Sequence, residues 1–547
     1  MKFLILLFCC VGLNLHAQQK FYFVAFKDKP NYKQQLAKPL TYLSKKAVDR
    51  RLKYRVALNA NDIPPDSAYA AKIERYPLLL FGKSRWLNGV VVLSGLKNLA
   101  DTLKRLNFVD KVTYLGPQTT FMEDDALGSA LNEQISILEQ TFEPKSLLID
   151  TAYLGKSFKQ INQINAQQLL LDHKNGQGVL IAIIDAGFKH ADQLPAFKKM
   201  FDDGRLLATY DFVQLEEEVF DDDEHGLGVF SCLAANQPGL IMGTAPMASY
   251  LLLRSEDVSA EYLTEEYLWT LAAEYADSAG ADIINSSLGY TQHDDLKMGH
   301  TYKELDGKST IVTQAAEIAD SKGILVFVSA GNEGNVNWKK LSAPGDAPHA
   351  VTVGAVDATG TITAFSSMGP TADRRMKPDL VALGKSTAVI SSSGTVYYGN
   401  GTSYACPILA GASAILMEVA PFKTPAQIKE ALMISGSNYF NPDKFIGSGL
   451  PDIELAAKIL TVNADSLLDA RVLEDLNLWL LINLKQDQKI VVSLVDASNT
   501  EVLKNNITLK KGANRIILKG YLKIQAGTYR LRVQFNNRIK ERKITKP

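Results

Sequence analysis

At 547 residues the chain is too long for one hydrophobic core of ordinary size, and about three folding units are expected. Its composition, 46% hydrophobic and 22% charged with a formal net charge of zero, is that of ordinary globular domains. Nothing in that balance points to a nucleic-acid partner.

The start, "MKFLILLFCCVGLNLHAQQK", has one lysine before an apolar stretch and a small residue, Ala17, ahead of Gln18. Residues 1–17 therefore read as a signal peptide, and the chain is expected to reach the cell surface or exterior through the periplasm. The later apolar run "PLLLFGKSRWLNGVVVL" is broken by Lys83 and Arg85, so no transmembrane segment is predicted. Past the signal peptide only Cys232 and Cys406 remain, too few for a disulfide scaffold, and two buried free thiols are expected. Residues 20–117 alternate strand-like runs ("FYFVAF", "LNGVVVLSG", "VDKVTYLG") with helical ones ("PLTYLSKKAVDRRLKY", "LKNLADTLKRL"), as a small α+β unit would. Residues 118–152 have weak periodicity and polar clusters and read as a linker.

From 153 to 462 short continuous apolar runs, "GVLIAIIDAG", "ASYLLLRS", "ADIINSSLG", "GILVFVSAG" and "AVTVGAVD", alternate with helical stretches such as "EEYLWTLAAEYADSAG" and "IVTQAAEIADSKG". That order predicts an α/β fold, a parallel sheet with helices on both faces, whose chemistry sits beyond the carboxyl ends of the strands. Residues 463–547 change to strict alternation, as in "GTYRLRVQF", and predict a small β-sandwich.

Four polar side chains fall at those strand ends and helix starts. Asp185 closes "LIAIID"; His225 lies in "FDDDEHGLGVFSCLAAN"; Asn332 lies in "FVSAGNEGN"; Ser403 lies in "NGTSYACPILAG". Each has a plain alternative: a turn Asp, a surface His beside a solvated or weakly cation-binding acidic loop, a turn Asn, and a serine N-cap. Pro407 is expected in the first turn of the Ser403 helix, where a missing N–H costs little. Together, a carboxylate, an imidazole, an amide and a hydroxyl are what acyl transfer from a weak nucleophile requires. Their order, Asp then His then Ser, differs from that of chymotrypsin and the α/β-hydrolases, and neither G-x-S-x-G nor H-E-x-x-H occurs.

With "IAIIDAGF", "HGLGVFSCLAA", "INSSLGY", "SAGNEG" and "NGTSYACPILAG" in this order, the chain resembles the subtilisin-like serine peptidases, in particular exported ones of the Bacteroidetes type. The resemblance implies that Ser403 is the nucleophile, His225 the general base and acid, Asp185 its orienting carboxylate and Asn332 an oxyanion donor. It implies that Ser287, Leu288 and Gly289 pair with an extended polypeptide substrate and that Ala330 and Gly331 wall the primary pocket. It further implies that residues 20–117 are a propeptide acting as an intramolecular inhibitor. The end "KIQAGTYRLRVQFNNRIKERKITKP" resembles the sorting domain of the type IX secretion system, making the export machinery a partner. No cofactor or catalytic metal is implied; a structural calcium is admitted, with Asp294, Asp295 and Asp306 as candidate ligands. One departure stands out: Leu227 follows "HG" where the family usually has a small hydroxyl residue. It raises the alternative of a catalytically weakened, subtilase-like binding module.

Overall fold

The computed structural model describes residues 18–119, 152–472, 476–536 and 538–547. The expected signal peptide and nearly all of the expected linker lie outside the described residues.

The N-terminal unit is a four-stranded antiparallel sheet in the order β2-β3-β1-β4, with β1 Lys20–Phe26, β2 Leu79–Ser84, β3 Gly89–Ser94 and β4 Val109–Pro117. Strand β2 and the helix Ser67–Ile73 are not among the elements expected from the sequence. Lys83 and Arg85 look like breaks, but Arg85 is buried against a partner far along the chain. The side chains of β1 alternate between two cores. Tyr22, Val24 and Phe26 pack with the unit's own helices, while Phe21 and Phe23 pack into the next domain.

That domain holds a seven-stranded parallel sheet, ordered β13-β12-β11-β10-β5-β9-β6. Its strands are β5 Leu180–Asp185, β6 Leu206–Asp211, β9 Ser249–Arg254, β10 Ile283–Ser286, β11 Leu325–Ser329, β12 Val351–Val356 and β13 Leu380–Leu383; β7 (Asn236–Gln237) with β8 (Ile241–Met242), and β14 (Lys385–Ile390) with β15 (Val396–Asn400), form small ribbons. All six residues of β5 are buried because both faces are covered. Ile181 and Ile183 face the core shared with the helices His225–Ala234 and Thr402–Val419. Leu180, Ala182 and Ile184 face the core shared with Thr264–Ala279, Ile311–Ser321 and the N-terminal sheet. Strands β6 and β13, not singled out from the sequence, close the two edges; β6 is half-exposed, and β13, Leu-Val-Ala-Leu, is buried throughout but only four residues long. Thr402–Val419 is long and apolar enough to cross a membrane by composition, yet it is the buried central helix.

The C-terminal region consists of a sheet β16-β17-β20 (Ser466–Val472, Leu478–Leu484, Gly512–Ile517) and a sheet β19-β18-β21-β22 (Glu501–Leu509, Gln488–Val495, Gly527–Phe535, Arg538–Lys546). The two share one core, to which Tyr529, Leu531, Val533 and Phe535 contribute alternate residues of β21.

The seam between the N-terminal unit and the helix Thr264–Ala279 is built on charge. Asp277, with no exposed surface, receives Arg51 at 2.8 Å, Arg85 at 2.6 Å and also Arg50. Burial pulls the Asp277 pKa up, but the three guanidinium groups outweigh it and hold the carboxyl below its ordinary range. Arg51 also pairs with Asp62, which accepts from Lys322 at 3.0 Å. Glu274 accepts from Ser84 Oγ at 2.5 Å and from the N–H groups of Arg85 and Trp86 at 2.8 and 3.1 Å. Removing one partner of such a network strands the other charges. Asp277→Ala is expected to weaken the seam by about 3–5 kcal/mol, seen as a lower midpoint for the first unfolding transition in urea. Lys46→Ala, removing a half-exposed pair with Asp282, is expected to change it by less than about 1 kcal/mol.

Candidate active site

The side chains singled out from the sequence converge at the carboxyl end of the parallel sheet. Asp185, the last residue of β5, is fully buried; its Oδ1 accepts from the Ala186 N–H at 2.9 Å and pairs with His225 Nδ1 at 2.6 Å. An ionised carboxylate only accepts, so Nδ1 carries the proton and Nε2 is left facing away from Asp185. His225 opens the helix His225–Ala234, one-third of its side chain is exposed, and its N–H donates to Asp223 at 2.7 Å. Two glycines allow this approach. A Cβ on Gly226 would stand 2.3 Å from the Gly187 carbonyl oxygen, and one on Gly187 would stand 2.6 Å from the Asp223 nitrogen.

Three of the acidic side chains in the loop before His225 are engaged by protein groups rather than simply solvated. Asp222 pairs with Arg254 at 2.7 Å, Asp223 holds the His225 N–H, and Glu224 accepts from the Ser392 hydroxyl at 2.7 Å. Burial pushes the Asp222 pKa up to about 6, with Arg254 opposing.

Ser403 is the second residue of the helix Thr402–Val419, and Gly401, not Ser403, occupies the N-cap. The cap expectation for Ser403 is thus replaced by a different pairing. Its Oγ donates to the Ser287 carbonyl at 3.2 Å, and the Ser287 Oγ donates to the Ser403 carbonyl at 2.8 Å. Pro407 lies inside the helix rather than in its first turn. It cannot supply the N–H that the carbonyl four residues earlier would receive, and that carbonyl belongs to Ser403. The Ser287 hydroxyl takes the place of the missing donor, a role not visible from the sequence.

Ser287, Leu288 and Gly289 directly follow β10; Ser287 is buried, Leu288 half-buried and Gly289 exposed. Ala330 and Gly331 follow β11 and are buried, while Asn332 is exposed. Asn332 Oδ1 accepts from the Thr402 N–H at 2.9 Å and the Thr402 hydroxyl at 3.0 Å, which turns its Nδ2 outward. Thr402 therefore aims the amide, a function the sequence reading missed although it adjoins Ser403. Gly331 has φ +102°, and a Cβ there would stand 2.4 Å from Glu333 Oε2 and 2.6 Å from Ser342 Oγ. Thr119, the last described residue of the N-terminal unit, donates to Asp257 at 2.5 Å on the same side of the molecule as β9 ends.

Among the described residues no group of three or more His, Cys, Asp or Glu side chains is arranged to hold a metal. Asp294, Asp295 and Asp306 accept from the N–H groups of Glu261, Lys297 and Lys308 respectively. Cys232 and Cys406 are buried free thiols.

Residues 176–449 match the Subtilase family, and residues 21–127 match the Peptidase S8 propeptide domain of Bacteroidota. The chain is 30% identical over 362 residues to Serine protease AprX of Bacillus subtilis (strain 168), covering 60% of this chain and 76% of that protein. It is 28% identical over 350 residues to Subtilisin NAT of Bacillus subtilis subsp. natto, covering 62% and 83% respectively. It is 29% identical over 302 residues to Subtilisin of Bacillus pumilus, covering 54% and 98%.

Leu227 is fully buried in the core beneath the His225 helix. Replacing it with threonine removes apolar contact and buries a hydroxyl there. Leu227→Thr is expected to cost about 1–3 kcal/mol, measurable as a lower unfolding temperature.

Proposed function

Because this chain belongs to the subtilase family of serine peptidases and carries its propeptide domain, we propose that it is an exported endopeptidase made as a zymogen, with Asp185, His225 and Ser403 as its triad. The single observation that carries this reading is the 2.6 Å pairing of His225 Nδ1 with the buried Asp185, which holds the ring in the tautomer whose Nε2 accepts a proton. His225 takes the Ser403 proton as Oγ attacks the scissile carbonyl, then returns it to the leaving amine. Asp185 keeps the ring in the correct tautomer and stabilises the imidazolium. The oxyanion receives hydrogen bonds from the Ser403 N–H and Asn332 Nδ2, the latter aimed by Thr402. Water then attacks the acyl-enzyme by the same route.

The substrate is a polypeptide laid along Ser287, Leu288 and Gly289 as an added strand, with a side chain directed at Ala330 and Gly331. Residues 20–117 act as intramolecular inhibitor, residues 118–152 connect them to the peptidase domain, 153–462, and residues 463–547 serve as a sorting domain for type IX secretion after the signal peptide, 1–17, is removed. The contact of Thr119 with Asp257 supports an inhibitor whose chain leads toward the cleft.

A serine-directed fluorophosphonate is expected to label the mature enzyme and to fail on Ser403→Ala; an unlabelled wild type overturns the reading. Against a peptide substrate, Ser403→Ala and His225→Ala are expected to lose about a million-fold in turnover, whereas Asn332→Ala loses about 100- to 1000-fold. Equal losses in all three contradict the assigned roles.

A further inference from the structure

Glu256, two residues beyond the end of β9, is a buried carboxylate that the reaction above does not use. Its Oε1 accepts two hydroxyl hydrogen bonds, from Tyr290 at 2.6 Å and from Ser255 at 2.8 Å. Each donor leads to a different part of the site. The Ser255 N–H donates to the carbonyl of Asp185 at 3.0 Å. Tyr290, fully buried, directly follows Gly289 and exchanges two backbone hydrogen bonds with Ala343, at 2.8 and 3.1 Å. Ser342, next to Ala343, donates its N–H to the Ala330 carbonyl at 3.2 Å. One carboxylate thus joins the strand end that bears Asp185, the segment Ser287–Gly289 and the wall at Ala330.

We propose that Glu256 is a positioning residue for peptide hydrolysis: through Tyr290 it fixes the peptide-binding segment relative to Asp185, and its charge acts on the Asp185–His225 pair. The proposal rests on the triad reading given above. The groups facing Glu256 are Asp185 and His225 from β5 and the 225–234 helix, Glu261 and Glu265 from the segment that follows, and Tyr290; the Arg254 Nε donates to its carbonyl at 3.2 Å. Burial pushes the Glu256 pKa up to about 7; its two hydroxyl donors and His225 pull it down, and Asp185 pushes it up. It therefore changes charge in the range where an imidazole does. An ionised Glu256 favours the imidazolium, so removing its charge makes His225 lose its proton at lower pH.

The test uses enzyme expressed as the full chain and allowed to mature, with kcat/KM for a chromogenic peptide followed from about pH 5 to 9. Glu256→Gln retains an acceptor oxygen for both hydroxyls but no charge; its acid limb is expected to move to lower pH by about half a unit or more. Tyr290→Phe keeps the ring but breaks the junction, and its KM is expected to rise about tenfold. An unmoved acid limb in Glu256→Gln, or a KM within twofold of wild type in Tyr290→Phe, overturns the proposal. Full labelling of both variants by the fluorophosphonate shows that the triad is assembled, whereas a wild type that resists labelling sinks the triad reading itself.

Discussion

Pro407 leaves the Ser403 carbonyl without its helical donor, and the way that carbonyl is satisfied joins the two halves of the site. A buried carbonyl left unpaired costs about 1–3 kcal/mol, so the helix start needs an external hydroxyl at one position. Ser287 supplies it and receives the Ser403 hydroxyl on its own carbonyl in return. The pair ties the end of β10, where peptide is expected to lie, to the first turn of the central helix. Asn332 is tied to that turn through Thr402, and Asp185 to His225, so five elements are held in two hydrogen-bonded groups, β10, β11 and the central helix in one, β5 and the His225 helix in the other.

The sheet sets the scale on which these contacts can be accurate. Successive residues of β5 enter opposite cores, so the strand cannot slip by one residue without turning its apolar side chains to the wrong face. Asp185 inherits that precision as the residue that follows Ile184. The same alternation in β1 lets the N-terminal unit finish its own core with one face and the peptidase domain's with the other. Where the two meet, Arg50, Arg51 and Arg85 are dehydrated along with Asp277, and their alignment is as demanding as any apolar packing.

Much of this was legible in the chain. Apolar runs of strand length locate five of the seven central strands, and of the four polar residues singled out by position and chemistry, Asp185 ends a strand and Asn332 follows one, while His225 and Ser403 open helices. What escaped was set by partners distant in sequence. Arg85 reads as a break in an apolar run until its pairing with Asp277, 192 positions later, is known. Asp222 and Glu224 read as a solvated loop because Arg254 and Ser392 are not nearby in the chain. Pro407 lies deeper in its helix than local rules for a helix start would put it, because the hydroxyl that makes it tolerable there comes from Ser287.

The seam at Asp277 is a contact between parts of one chain, and its strength depends on that continuity. While the chain is whole, the N-terminal sheet faces its helix at a high effective concentration that no dilution alters. A cut anywhere between Thr119 and Ala152 leaves every ion pair in place but turns the same seam into an association between two molecules. From then on the volume available to the two parts helps decide when the arginines leave Asp277. A crowded compartment keeps the halves together, and an open one lets them part.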